Sequence, residues 1–313
     1  MADTVVLGGT GFLGRHVCAL LADRGRQVLA IARHATDPPP GARLATLDPV
    51  SAGPDALPAL LRAERATVVV NAAGGVWDVD EEQMVASNVT LVEYLVDAVT
   101  RAPGRPRLVH LGSAHEYGAV PYGSLVSERT PPAPATPYGR TKLRGTDTVL
   151  RAAARGHADA VVLRVSNVLG PGAPASSLLG AASRDLRAAV ATGRPAVLQV
   201  TSGQAHRDFV DVRDVADAVA RAADGSAAGV FNVGGGVAVG IRAVLRRLVD
   251  ISGAPADIVV EPVGGAGPVR NAGDWQQLDI EAARRHLGWT PRRRLDESLR
   301  ALWETTVAPA PSP

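Results

Sequence analysis

Thr4-Val5-Val6-Leu7-Gly8-Gly9-Thr10-Gly11-Phe12-Leu13-Gly14 decides the fold. Four apolar residues mark a buried parallel strand. A GxxGxxG turn follows at once, and apolar residues at Val17, Leu20 and Leu21 then recur at helical spacing to about Arg24. Strand, glycine turn and helix together are the context a dinucleotide fingerprint requires. Glycines let the backbone approach a pyrophosphate, which rests on the helix N-terminus. Gly8, Thr10, Gly11, Phe12, Leu13 and Gly14 are therefore the first candidate cofactor contacts.

Alternating elements continue outward from this turn. A second strand, 27–32, ends at Arg33-His34, where an NAD site would place an acid for the ribose 2′-hydroxyl. Arg33 offers a cation for a 2′-phosphate instead, so NADP(H) is expected in preference to NAD(H). Leu44 to Leu47 reads as a third strand, followed by Asp48, placed to meet an adenine amino group. A helix over 56–65 leads to a fourth strand, 67–70, with Asn71, Ala72, Ala73 and Gly74 at its carboxyl end. Ligands bind along that rim in open α/β sheets, and small residues there let a cofactor lie close. Trp77 and Asp78 fall in the next loop as possible substrate contacts, and Asn88, in a long helix, reads as a structural hydrogen-bonder.

A fifth strand, 107–111, runs into Gly112-Ser113-Ala114-His115-Glu116-Tyr117-Gly118. Tyr138 and Lys142 are four apart, one above the other on a helix whose N-cap and first residue are Thr136 and Pro137. A phenol beside a fixed ammonium is an acid/base device. Free tyrosine titrates near ~10, and lowering that by ~3 units needs about 4 kcal/mol, which one close charge in a dry cleft supplies. Of the 33 Lys+Arg residues, Lys142 is the only lysine, which suggests that its compact ammonium is needed there. Ser113, Tyr138 and Lys142 together form a proton-delivery constellation.

Composition bounds the remaining classes. With 46% hydrophobic and 20% charged residues, 313 residues make an ordinary globular chain with a full core. A net charge of +2 without a basic block argues against nucleic acid, and no apolar run reaches membrane-spanning length. The single cysteine, Cys18, excludes an internal disulfide and fits a reducing cytoplasm, as does the lack of a signal-peptide pattern. The seven histidines show no zinc spacing, so no metal is expected. Further along, 160–165 and 230–233 read as strands, 178–192 and 240–252 as helices, 211–222 as a loop and helix, 196–200 as a short strand, and 308–313 as a disordered tail.

The chain resembles the extended short-chain dehydrogenase/reductases of the sugar-nucleotide epimerase/dehydratase/reductase superfamily. Gly8-x-x-Gly11-x-x-Gly14, Ser113 four before Tyr117-Gly118, and Tyr138-x-x-x-Lys142 carry the likeness. So do Leu163-Arg164 through Asn167-Val168-Leu169-Gly170-Pro171-Gly172, Arg207-Asp208-Phe209-Val210-Asp211-Val212, Val230-Phe231-Asn232-Val233-Gly234 and Leu287-Gly288-Trp289-x-Pro291. The resemblance implies a Rossmann-type α/β fold, a parallel sheet with helices on both faces plus a smaller C-terminal substrate lobe. The expected division is 1–170 with 209–236 for the cofactor, and 171–208 with 237–307 for substrate. It implies Tyr138 as acid/base, Lys142 on the nicotinamide ribose and Ser113 on the substrate carbonyl. Asn167 and Arg207 would hold a nucleotide diphosphate, Arg270 would meet a phosphate, and two copies would pair as a homodimer through two long helices each.

Within the superfamily, 4,6-dehydratases carry an Asp-Glu pair where this chain has Ala114 and His115. The stretch from Arg207 to Ile241 is most similar to GDP-4-keto-6-deoxymannose reductases. GDP-fucose synthases carry a cysteine base where His115 stands, so His115 is a candidate substrate contact or second acid/base. The expected reaction is NADPH-dependent reduction of an NDP-4-keto-6-deoxyhexose. Two other readings are an NAD-retaining epimerase, which Arg33 opposes, and a non-catalytic NADP-binding sensor, which the retained Tyr138 and Lys142 oppose.

Overall fold

A computed structural model describes residues 1–75, 80–200, 202–260 and 273–307 of the chain. In order, its first part is β1 (Thr4–Leu7), α1 (Phe12–Asp23), β2 (Val28–Ala32), β3 (Arg43–Thr46), α2 (Pro49–Ala52), α3 (Ala56–Glu64), β4 (Val68–Asn71), α4 (Glu81–Val85), α5 (Leu91–Arg101), β5 (Arg107–Ser113), α6 (Pro137–Ala154) and β6 (Ala160–Val165). Next come β7 (Asn167–Leu169), α7 (Leu178–Thr192), β8 (Ala196–Val200), β9 (His206–Asp211), α8 (Val212–Asp224), β10 (Gly229–Val233), β11 (Ala238–Gly240), α9 (Ile241–Ser252), β12 (Ala256–Val260), α10 (Glu281–Leu287) and α11 (Leu295–Thr305).

Seven of these strands form one parallel sheet in the order β10-β6-β5-β4-β1-β2-β3. β1, β2, β4, β5 and β6 are buried along their whole length, which is why they read as mostly apolar runs, broken in β5 and β6 by Arg107, His110 and Arg164. Each sheet face carries helices. Val17, Cys18 and Leu21 of α1 pack with Val215 and Val219 of α8 on one face. Leu57 and Leu61 of α3, Leu95 and Val99 of α5, and Val149 of α6 cover the other. Burying each such Val or Leu contributes about 1.5–3 kcal/mol. This is the Rossmann-type α/β arrangement expected from the opening stretch. The order reverses at β1, whose neighbours are β2 and β4, and that reversal opens the crevice where a ligand binds.

The remaining strands form two small sheets, β11-β9-β7 and the parallel pair β12-β8. Their core joins Leu179 and Leu186 of α7, Leu198 of β8, Leu245 and Leu248 of α9, and Leu299 and Leu302 of α11. The chain returns to the large sheet through α8 and β10, while 209–211 lie in β9 of the three-stranded sheet. Trp289 explains the Leu287-Gly288-Trp289 motif. It is fully buried, and its indole N–H donates to the Asp214 carbonyl of α8 at 2.9 Å. Trp77, Asp78, Arg270 and the 308–313 tail lie outside the described residues.

Candidate active site

The glycine turn is shaped for close approach. Gly8 has φ +69, and a Cβ there would stand 2.8 Å from the Cα of Ala73. A Cβ on Gly14 would fall 2.0 Å from the Gly8 carbonyl oxygen. Gly11 caps α1 without a side-chain hydrogen bond, so the first-turn N–H groups are left for an anion. Thr10, Phe12 and Leu13 stand in this turn and the first turn of α1. Asn71 closes the floor: its side-chain oxygen accepts from the Ala73 N–H at 3.1 Å and its amide donates to His110 Nδ1 at 3.1 Å. A bare backbone floor, small residues at 72–74 and an uncapped helix end fit a dinucleotide.

Arg33 is exposed just past β2, open to a phosphate. Asp48 is engaged in a local cap. Its carboxylate caps α2, accepting from the N–H groups of Val50 at 3.1 Å and Ser51 at 3.5 Å and from the Ser51 hydroxyl at 2.9 Å. Burial opposes its ionisation, but these bonds and Arg33 hold its pKa below the ordinary value.

Across the crevice, α6 starts as its sequence suggests. Thr136 caps it, accepting from the Gly139 N–H at 3.1 Å, and Pro137 is the first helical residue. Tyr138 and Lys142 follow on one face. Lys142 is 5% exposed and its Nζ donates to the Leu111 carbonyl of β5 at 2.5 Å. A Cβ on Gly74 would lie 3.8 Å from that Nζ, and Gly8 abuts Ala73, so the glycine turn and the lysine share one crevice. Buried Ser113 ends β5 beside Tyr138; its hydroxyl accepts from the His115 N–H at 3.2 Å.

The direction of phenol tuning corrects the expectation from sequence. Burial pushes Tyr138 up to about 12; hydrogen bonding from Ser113 opposes this and the Glu116 charge adds to it. The Lys142 ammonium is held by the Leu111 carbonyl. Burial lowers Lys142 to about 8, with Glu116 opposing.

Behind the cluster lies a polar layer that the sequence reading gave no role. Glu116 accepts from the Ser113 N–H, Thr146 and Arg164. Asn88 is the structural hydrogen-bonder expected: its side-chain oxygen accepts from the Gly75 N–H at 3.2 Å, and its amide donates to Gly75 O at 3.0 Å and Thr141 at 3.1 Å. It sits in a π-helical turn, 86–90, that aims it at the loop after β4. The signal for Glu116 and Arg164 was charge inside otherwise apolar strand-end motifs.

His115 packs edge-on against Tyr138, ring centroids 5.6 Å apart, and its buried Nδ1 has no hydrogen-bond partner. Burial, then the Arg207 charge, lower it to about 4, so it is neutral at pH 7 and no ready proton carrier. Arg207 donates to the His206 carbonyl at 2.9 Å and the Gly273 carbonyl at 2.7 Å. Asn167 donates to Asp208 O at 2.9 Å and Gln276 at 2.6 Å. Between them Asp208, fully buried, accepts the N–H groups of Gly235, Gly236 and Leu278, and burial raises it to about 6.

The sequence model of the NAD dependent epimerase/dehydratase family matches residues 4–234. The chain belongs to that family. It is an NAD(P)-dependent enzyme of the extended short-chain dehydrogenase/reductase type, among enzymes that modify nucleotide sugars. It is 46% identical over 99% of its length, and 97% of the relative's, to a dTDP-6-deoxy-L-talose 4-dehydrogenase (NAD(P)(+)) of Kitasatospora kifunensis. A GDP-6-deoxy-D-mannose reductase of Pseudomonas aeruginosa is 28% identical, with 96% of this chain and 97% of that one covered. The solved structure of MoeE5 in complex with UDP-glucose and NAD superposes with a TM-score of 0.83 at 28% identity, covering 97% and 98%. This extended short-chain dehydrogenase/reductase has no metal-binding group of His, Cys, Asp or Glu among its described residues, and no described helix is long and apolar enough to cross a membrane.

Proposed function

We propose that this enzyme interconverts the C4 keto and hydroxyl forms of an NDP-6-deoxyhexose, running as an NADPH-dependent reductase. The observation that carries the reading is the shared crevice: the glycine turn, the loop after β4 and the Ser113–Tyr138–Lys142 cluster are contiguous. The K. kifunensis relative supports C4 as the reacting carbon and dTDP as the nucleotide.

Bound NADPH supplies hydride to the carbonyl carbon. Tyr138 gives its phenolic proton to the carbonyl oxygen, which the Ser113 hydroxyl holds. The raised pKa of Tyr138 keeps that proton in place at neutral pH, which suits reduction. Lys142 ties α6 to β5 and faces the nicotinamide ribose. Arg33 takes the 2′-phosphate, giving the preference for NADPH. Asn167 and Arg207 face the diphosphate, with His115 as a neutral substrate contact beside Tyr138. α5 and α6 lie side by side on one face and form the proposed dimer surface; a monomeric mass by light scattering would overturn that part.

The test is to follow NADPH absorbance with dTDP-, GDP- and UDP-4-keto-6-deoxyhexoses. Consumption with a dTDP sugar is expected. No consumption with any of them, or a sugar epimerised without net consumption, overturns the proposal.

A further inference from the structure

Glu116 is a carboxylate with 0% exposure at the end of the 3₁₀ turn that follows β5. Its bonds all go to elements that carry the site. Oε1 accepts from the Ser113 N–H at 2.8 Å and from the Thr146 hydroxyl at 2.9 Å; Oε2 accepts from Arg164 Nε at 2.7 Å. Ser113 ends β5, Thr146 lies one turn beyond Lys142 on α6, and Arg164 belongs to β6. One side chain therefore joins three elements directly behind the proton-handling groups. The strand is pared to admit it: a Cβ on Gly112 would stand 2.7 Å from Oε1. Arg164 is itself held, its guanidinium 4.6 Å from the Tyr117 ring centroid, while the Tyr117 hydroxyl donates to Asn232 at 2.7 Å.

Such a position gives Glu116 two kinds of influence. Breaking a buried pair leaves an uncompensated charge, so it is fixed in place. Its charge also favours the protonated forms of Tyr138 and Lys142, alongside the larger effect of burial on each.

We propose that Glu116 is a positioning residue for the Ser113–Tyr138–Lys142 cluster, locking the end of β5 to α6 and setting a buried negative charge behind it. This rests on the reductase reading above. Neutralising Glu116 removes a charge that helps to keep the proton on Tyr138, so the loss of reductive rate at high pH begins earlier.

The experiment compares wild type with Glu116→Gln, Glu116→Gln/Arg164→Gln and Glu116→Asp. The double variant leaves no unpaired cation, and the aspartate keeps the charge one methylene short. Expected for both glutamine variants is an alkaline limb of kcat moved down by about one pH unit. A kcat roughly tenfold lower is expected for all three, with NADPH affinity unchanged, because small misplacements of reacting groups are costly. Glu116→Asp is expected to keep the wild-type limb. Folded glutamine variants with wild-type kcat and limb overturn the proposal, leaving Glu116 purely structural. If the wild type reduces no 4-keto sugar, the reductase reading fails on its own. Near-ultraviolet titration of the Tyr138 phenol, wild type minus Tyr138→Phe, still reads Glu116. A lower titration in Glu116→Gln supports it, and an unchanged one overturns it.

Discussion

Tyr138 is where the chemistry concentrates. Replacing it with Phe removes the donated proton and leaves the helix, the cap and the crevice as they are. Expected is a loss of about 10²–10⁴ in kcat with NADPH binding retained, measured by steady-state kinetics and fluorescence titration. The pH dependence has a definite sign. A phenol held near 12 is protonated throughout the neutral range, so reduction stays flat there and falls only at high pH. Oxidation of the hydroxy sugar needs the phenolate and rises with pH. The spacing of Tyr138 and Lys142, the cap at Thr136 and the serine at the strand end were all legible in the sequence. The direction in which Tyr138 is tuned was not. It depends on burial, on the hydrogen bond with Ser113, and on Glu116, a residue with no spacing signature.

At the scale of elements, the glycine turn and α1 act as one piece. The Gly14 Cβ position collides with backbone at the Gly8 carbonyl, so no side chain can swing aside. Gly14→Ala is expected to cost about 1–3 kcal/mol of stability by overpacking, and to weaken NADPH at least tenfold; thermal melts and a binding titration check it. Arg33 at the end of β2 makes a separable prediction. Arg33→Ala should weaken NADPH about tenfold, the order of one charge-assisted hydrogen bond, while NADH affinity stays unchanged. Equal effects on both coenzymes would remove Arg33 as the selector. The buried strands of the large sheet were readable as apolar runs, and α1, α3, α7 and α9 as periodic segments. β7 and β11 have three residues each, too few for a pattern, and β12 is mostly exposed, so its pairing with β8 left no clear mark. α11 does carry the mark, burying Ser298, Leu299 and Leu302 on one stripe. Asp48, past β3, also caps α2, a local bond that its position alone did not announce.

For the whole molecule, buried titratable groups set the acid limit. Burial lowers His110 well below its ordinary value and His115 to about 4. Above pH 6.5 these histidines are neutral folded or unfolded and cost nothing. Below it the unfolded chain binds protons that the folded chain refuses, so stability falls from pH 6.5 toward 4. Asp208, raised to about 6, runs the other way, gaining stability as pH falls from 6 toward its unfolded value. His16, also lowered chiefly by burial, adds to the two, so three histidines against Asp208 give a net loss on acidification, measurable as a falling melting temperature, and His115→Asn should flatten the slope. Lys142 has one more consequence, for reagents that acylate amines. The folded enzyme offers them its N-terminus alone, because its single side-chain amine is 5% exposed beneath Gly74 and Leu111. Each chain should therefore take one label while native and a second only on opening, so mass spectrometry of the labelled protein becomes a clock for how often the crevice comes apart.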